Sequence, residues 1–404
     1  MTDAVLDDDR EARRNALILA VAGAVVGSAP TIVFSLGGLA GMYLLPPNQP
    51  ALATLPLSFF IVGGALTAIP AAMLMSRIGR RAGFIVGAVI GAIGGLIASL
   101  AVLRGSFPAL VAGMTVVGSA NAFVQQYRFA AADSGSPPMR AKAISWVLAG
   151  GVASGIIGPQ AVIFTRHLFD PIPFVGGFAA IVVLALVGIL LLLPLSGAAR
   201  RAPTLVSRSG GRPLGEIVRQ PRFIVSLICA IGSYSLMSLV MTAAPLAMIG
   251  CGLAQDDAAL GIQWHVLAMF GPSFFTGALI ARFGAETIVG VGLALLAGCA
   301  VVALLGLDVW HFWAALILVG LGWNFGFIGA TTLLTQTYRP EERSKVQGFN
   351  DFVLFSFVAV ASFSSGQLYA TVGWNTINVL VFPIAGVCAL ALLVATFAFR
   401  PRPA

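Results

Sequence analysis

Long apolar segments constrain this chain more than any other feature of its sequence. Twelve of them alternate with short polar gaps. Crossing the ~30 Å hydrocarbon core of a bilayer takes roughly 20 helical residues, whereas barrel strands are about ten residues long and alternate in polarity. The segments therefore predict twelve transmembrane helices. They lie at about 16–40, 52–75, 82–103, 107–131, 141–165, 174–195, 223–247, 258–281, 287–306, 310–335, 348–370 and 376–398.

Composition supports the same fold class, an all-α polytopic membrane protein. Of 404 residues, 58% are hydrophobic and only 9% are charged, with a mean hydropathy of +0.97, whereas soluble domains carry about 25% charge. This excludes an ordinary soluble domain and a disordered chain. Four cysteines in so long a chain give no disulfide framework. The net charge of +8 is spread over short loops, so we expect no nucleic-acid partner.

The basic residues indicate the orientation in the membrane. Every second gap is rich in Arg and Lys, and the opposite gaps contain only Arg104 and Arg166. Cytoplasmic loops carry this excess of positive charge, so both termini are predicted to be cytoplasmic. The basic gaps contain Arg77, Arg80 and Arg81; Arg140 and Lys142; Arg200, Arg201, Arg208, Arg212, Arg219 and Arg222; Arg282; and Arg339, Arg343 and Lys345.

The midpoint of the chain divides it into two similar halves. Ser76-Arg77-Ile78-Gly79 matches Ala281-Arg282-Phe283-Gly284 about 205 residues later, and Asn121, Arg140 and Lys142 match Asn324, Arg343 and Lys345 at an offset of 203. A shared offset near half the length indicates an internal repeat. We therefore predict a cytoplasmic tail at 1–15, a six-helix half at 16–196, a cytoplasmic linker at 197–222, a second half at 223–398 and a tail at 399–404.

A loop motif adds a family resemblance. Met75-Ser76-Arg77-Ile78-Gly79-Arg80-Arg81 resembles the D-R-x-G-R-R/K signature between helices two and three of the major facilitator superfamily, although Ser76 stands where that family usually has Asp. The resemblance implies two six-helix halves, repeated in parallel and joined by a cytoplasmic linker. It also implies secondary transport by alternating access.

Two pairs of residues suggest a metal path. Met237 and Met241 are spaced i, i+4 in the seventh segment, and His265 and Met269 have the same spacing in the eighth, so each pair shares one helix face. Counting ~1.5 Å per residue puts Met237 and His265 at nearly the same depth. Thioethers suit Cu(I), and imidazole suits copper in either oxidation state. The alternative is that these methionines only fill gaps in the core.

MxxxM followed by HxxxM resembles the CcoA-like copper importers of the same superfamily. Cys229 and Cys251 fit the cysteines that flank those motifs in that branch. The resemblance implies import of copper through the bacterial inner membrane as a substrate, with no permanently bound cofactor. It further implies a downstream copper chaperone or an assembly factor of a cbb3-type oxidase.

Polar residues inside the segments form a second candidate set, for a cavity or a gate. Placing an arginine within a span costs free energy unless the guanidinium is paired or hydrated. For the amide side chains, the alternative role is hydrogen bonding between helices. The set comprises Asn121, Gln125, Gln126, Arg128, Asn324 and Asp351.

Two other functions remain open. The first is transport of a small organic solute such as a vitamin, siderophore or organic anion, for which aromatic cavity residues and Arg128 matter more than the thioethers. The second is a non-transporting, copper-holding assembly factor, which would need a docking loop beyond 197–222. No nucleophile, metalloprotease or phosphate-binding motif is present, so we expect no enzyme activity.

Overall fold

The computed structural model describes residues 3–131, 136–196 and 211–398, and every ordered element among them is helical. The chain divides into two compact units, Met1–Val206 and Ser207–Ala404. Most of the predicted linker, residues 197–210, and the predicted C-terminal tail, 399–404, lie outside the described residues.

The described residues of the first unit form eight helices and a short 3₁₀ turn at Pro50–Leu52. Its first predicted span is divided at Gly27-Ser28 into two helices, and its fourth span ends in a separate short helix. The helices are α1 (Asp3–Val26), α2 (Ala29–Leu44), α3 (Leu55–Ile78), α4 (Arg80–Leu103), α5 (Phe107–Val124), α6 (Tyr127–Ala131), α7 (Pro137–Thr165) and α8 (Val175–Leu192).

The second unit also has eight helices. The longest is interrupted at Gly373, whose φ of 78° is not helical, so it holds the eleventh span and the start of the twelfth. The helices are α9 (Leu214–Ile217), α10 (Pro221–Gly250), α11 (Gln255–Phe270), α12 (Ser273–Phe283), α13 (Ala285–Leu305), α14 (Val309–Thr335), α15 (Arg343–Val379) and α16 (Val381–Ala398).

These helices agree with the predicted spans. Within the described residues, ten helical segments are long and apolar enough to cross a membrane, and α11 with α12 forms an eleventh span bent by 42°. The shorter apolar helix at Val381–Val394 belongs to the twelfth predicted segment. The all-helical membrane fold is confirmed.

The N-terminal residues extend further into the helical structure than the sequence suggests. The predicted tail continues α1 from Asp3, because acidic residues favour the first turns of a helix. The Asp9 carboxylate accepts hydrogen bonds from the backbone N–H and the hydroxyl of Ser136, at 2.7 and 3.0 Å. Asn15 bonds the Ser196 carbonyl at 3.1 Å. Residues 9–15 are therefore tied to the start of α7 and the end of α8.

The two units repeat one tight turn. Gly79 joins α3 to α4 with φ 86° and ψ 160°, and Gly284 joins α12 to α13 with φ 86° and ψ 153°. A positive φ favours glycine because it has no Cβ. The paired R-x-G sequences thus end in the same backbone turn, which supports the internal repeat.

The described end of the linker folds onto the second unit. Ile217 of α9 is buried with Phe223, Leu334 and Val346. Nearby, Arg212 bonds the buried Glu342 carboxylate. The contact of Arg212 with Glu342 corresponds to that of Asp9 with Ser136 in the first unit. In each half, the segment before the first span is bonded to the loop before the fifth span.

Candidate solute-binding site

Five aromatic rings from four spans of the second unit form one cluster. Tyr234 of α10 meets Trp323, Phe327 and Phe355 edge-to-face, with ring centroids 5.3, 5.2 and 5.8 Å apart. Trp323 stacks on Phe327 at 5.1 Å and meets Phe270 at 6.2 Å. We call these five residues the aromatic cluster.

Helix packing explains why the rings meet. Within the second unit, α10 packs chiefly on α14 and α15, and α11 packs chiefly on α14. Trp323 and Phe327 are four residues apart on α14, so they share one face. Phe270 ends α11 just before the Gly271-Pro272 break, where proline prevents a continuous helix. The break places this ring beside Trp323.

The cluster lies deep in the predicted membrane. Tyr234, Trp323 and Phe355 are each ~18–20 Å along their helices from Pro221, Thr335 and Arg343, the helix ends on the predicted cytoplasmic side. Trp323 is buried, and Tyr234, Phe327, Phe355 and Phe270 are partly exposed. A partly exposed ring can stack on a planar aromatic molecule, and each offset or edge-to-face pair contributes about 0.5–1.5 kcal/mol beyond burial.

Four buried polar atoms on α10 and α14, the two helices that supply Tyr234, Trp323 and Phe327, lack hydrogen-bond partners among the described residues. The hydroxyls of Ser233, Ser235 and Ser238 on α10 and the indole Nε1 of Trp323 are buried, and the described residues supply no hydrogen-bond partner for them. Buried polar groups normally have one. The cluster thus combines an apolar stacking surface with neighbouring hydrogen-bonding groups, a common composition for sites that bind small organic molecules.

The residues of the predicted copper path have different surroundings. Met237 and Met241 are buried in α10, and Met269 is partly exposed. His265 is fully buried, and its Nδ1–H donates to the Leu316 carbonyl of α14 at 2.9 Å. The His265 ring therefore bonds to α14 through Nδ1. The predicted copper path instead pairs His265 with Met237 and Met241 on α10.

The cysteines are free thiols. Cys229 is buried and its Sγ donates to the Cys388 carbonyl at 3.8 Å, whereas Cys251 is exposed. Among the described residues, no group of three or more His, Cys, Asp or Glu side chains could hold a metal ion.

The cavity candidates of the first unit lie where the fourth span ends. Asn121 and Gln126 are partly exposed, and Gln125 and Arg128 are exposed, around the turn between α5 and α6. The Arg128 guanidinium lies 4.8 Å from the centroid of the Phe129 ring, a cation–π contact. Arg128 therefore remains a gate candidate at the end of this span.

In the second unit, Asn324 forms hydrogen bonds to both helices of the broken span, α11 and α12. Its Nδ2 donates to the Met269 carbonyl at 2.7 Å and to the Ser273 hydroxyl at 2.8 Å, and its Oδ1 accepts from Thr276 at 2.6 Å. Met269 precedes the Gly271-Pro272 break and Ser273 follows it. Asn324, with 0% exposure, thus satisfies polar groups on both sides of the break.

Asn324→Leu is expected to lower the free energy of unfolding by about 1–3 kcal/mol, because it leaves buried groups without partners. Thermal or denaturant unfolding of the purified protein in detergent measures it. Asn121→Leu, at the matching position of the first unit, is the control with a smaller expected loss. Equal losses for the two variants would contradict a specific role for Asn324.

Comparison with known proteins decides the family. The family model described as Major Facilitator Superfamily matches residues 15–361 and 264–404. The chain belongs to the major facilitator superfamily. It is therefore a multi-pass protein of the bacterial inner membrane, as its apolar helices and basic gaps predict.

Individual relatives cover nearly the whole chain. It is 50% identical over 399 residues to the riboflavin transporter RfnT of Brucella anthropi, covering 99% of both chains. An uncharacterised transporter of the same superfamily from Bacillus subtilis, YddS, is 28% identical over 81% of this chain and 78% of its own. The crystal structure of a bacterial homologue of the human lysosomal transporter Spinster shares the fold, with a TM-score of 0.72, 17% identity and coverage of 98% and 99%.

These relatives overturn the copper prediction. The half-identical, full-length relative is a riboflavin transporter, so assignment to the copper-importing branch, copper import and copper as a partner are wrong. The copper chaperone and the oxidase assembly factor are wrong with them. The ligand role predicted for Met237, Met241, His265, Met269, Cys229 and Cys251 loses its substrate and stays a prediction. The physical reason is that i, i+4 spacing places two side chains on one helix face but does not determine which neighbouring helix that face contacts.

Sequence reasoning missed the aromatic cluster itself. The signal was available in the i, i+4 spacing of Trp323 and Phe327 and of Asp351 and Phe355. Aromatic residues are common in spanning helices, so the spacing alone did not separate these rings from lipid-facing ones such as Phe352, which is 73% exposed.

Proposed function

We propose that this protein carries riboflavin, or a closely related flavin, across the inner membrane into the cytoplasm. The observation that carries the proposal is the 50% identity to a riboflavin transporter over 99% of both chains. An organic solute of this kind is among the alternatives that the sequence leaves open. The proposal requires neither enzymatic activity nor a resident cofactor.

The chemistry of the aromatic cluster supports this solute class. Riboflavin joins a flat three-ring system to a chain of hydroxyls. The rings of Tyr234, Trp323 and Phe327 offer stacked and edge-on surfaces for such a ring system. The buried hydroxyls of α10 and the Trp323 indole N–H are neighbouring hydrogen-bonding groups of the kind that orient a ligand.

Counterflow in proteoliposomes tests the proposal. Vesicles loaded with unlabelled riboflavin are expected to accumulate external labelled riboflavin only when the protein is present, and excess lumiflavin to compete. Biotin, a vitamin without an aromatic ring system, serves as the negative control. Growth rescue of a riboflavin auxotroph at low external riboflavin tests the inward direction. Absence of riboflavin counterflow by folded protein would overturn the proposal.

A further inference from the structure

An exposed carboxylate borders the aromatic cluster. Asp351 lies four residues before Phe355 on α15, so the two side chains share a helix face about one turn apart. Asp351 is exposed, whereas the preceding Asn350 is 6% exposed and donates from Nδ2 to Asp351 Oδ1 at 3.1 Å.

The position of Asp351 restricts its role. A charged side chain within a span lies against water or protein and not against lipid. The bond from Asn350 is one of the contacts of this carboxylate, and a carboxylate has about four acceptor positions. Asp351 can therefore accept a further hydrogen bond from a molecule lying on the cluster, and carboxylate acceptors form the stronger, charge-assisted type.

The donor follows from the chemistry of the solute. A neutral, oxidised isoalloxazine ring has a single N–H, at N3, between two carbonyl groups. A ring stacked against Tyr234 and Phe355 presents its edge to a side chain one helical turn away. The ribityl hydroxyls are the only other donors on riboflavin, and they project from N10 of the central ring and not from the pyrimidine ring that carries N3.

We propose that Asp351 accepts a hydrogen bond from the imide N3–H of the transported flavin and selects ring systems that carry this N–H. The inference rests on the proposed function and deepens it. Asn350 acts as a positioning residue that orients the carboxylate, and the aromatic cluster holds the plane of the ring.

Competition against labelled riboflavin in the counterflow assay tests this selectivity. For the wild-type protein, 3-methylriboflavin, which lacks the N–H, is expected to compete roughly tenfold more weakly than riboflavin, as the loss of one charge-assisted hydrogen bond implies. Lumiflavin, which keeps N3–H but lacks the ribityl chain, is expected to remain within a few-fold of riboflavin.

Asp351→Ala is expected to bring the ratio of riboflavin to 3-methylriboflavin potency close to one, mainly through weaker riboflavin binding. Asp351→Asn keeps a neutral acceptor and is expected to give an intermediate ratio. Asp308→Ala is the matched control, since that carboxylate is 84% exposed at the start of α14, and its ratio is expected to equal that of the wild type.

The outcomes separate this inference from the function. No riboflavin counterflow by the wild type overturns both. Normal transport with the same ratio in Asp351→Ala and wild type overturns the role of Asp351 alone. Weaker riboflavin binding by Asp351→Ala, with unchanged lumiflavin binding and an unchanged ratio of riboflavin to 3-methylriboflavin, assigns Asp351 to the ribityl chain and overturns the N3–H contact. The ratio is internal to each variant, so partial loss of folded protein does not change it.

Discussion

Trp323→Ala is expected to weaken riboflavin transport at least tenfold. Trp323 contacts three other rings of the cluster, by stacking on Phe327 and edge-to-face with Tyr234 and Phe270. Removing the buried indole removes the ring against which the partly exposed rings of Phe327, Tyr234 and Phe270 pack, so the surface offered to a flavin loses its support. A loss of about 1.4 kcal/mol, within the range of one aromatic contact, is already tenfold in affinity. Half-maximal riboflavin concentrations in proteoliposomes measure the effect.

The variant also removes a buried side chain, so a second substitution separates binding from folding. Trp323→Phe keeps an aromatic ring and leaves a smaller cavity, so it is expected to retain more riboflavin affinity than Trp323→Ala, and affinity is compared per amount of folded protein. Trp310→Ala is the matched control, because this tryptophan on the same helix is 71% exposed and contacts Trp313, outside the cluster. Equal riboflavin affinity for Trp323→Ala and Trp310→Ala would contradict the assignment of the aromatic cluster as the flavin site.

The fold was largely predictable because bilayer physics leaves few choices. A long apolar segment in lipid must satisfy its backbone internally, and a helix does so. The bend of 42° between α11 and α12 has an equally local cause, because Gly271-Pro272 cannot continue a helix. The paired R-x-G sequences likewise anticipated matching turns at Gly79 and Gly284.

The site was less predictable because it depends on how each helix is rotated about its axis. Spacing placed Met237 with Met241 and His265 with Met269, but did not reveal that the His265 ring bonds Leu316 of α14. The aromatic cluster needs four helices with the correct faces inward. A single sequence records each face but not the pairing of faces between helices.

Glu342 provides the second large expected effect, on stability. Its carboxylate accepts from the Arg212 backbone N–H at 2.7 Å, from the Arg212 side chain at 3.0 and 2.8 Å, and from the Arg339 N–H at 2.9 Å. Lys345 in turn donates to the Arg212 carbonyl. Glu342→Gln is expected to lower the melting temperature, because an amide places a donor against the guanidinium and leaves buried donors unmatched.

The pH dependence distinguishes a charge effect from a packing effect. The hydrogen bond from the Arg212 side chain, followed by that from the Arg339 backbone, holds the pKa of Glu342 well below its usual range. A carboxylate with a lowered folded-state pKa stabilises the protein above its unfolded pKa of about 4.3, and this contribution is lost as the pH falls towards the folded value. The difference in melting temperature between wild type and Glu342→Gln is therefore expected to be full at pH 7 and to shrink below about pH 4.

Glu341→Gln is the matched control, since the preceding glutamate is only partly buried and exposed charges contribute little. Thermal unfolding of all three proteins in detergent, from pH 7 to pH 3.5, makes the comparison. A pH-independent gap for Glu342→Gln would show that side-chain shape, and not charge, holds the linker to the loop between α14 and α15. Equal melting temperatures for both variants at pH 7 would show that the contact does not stabilise this unit, and residues 211–220 would then be held by the burial of Ile217.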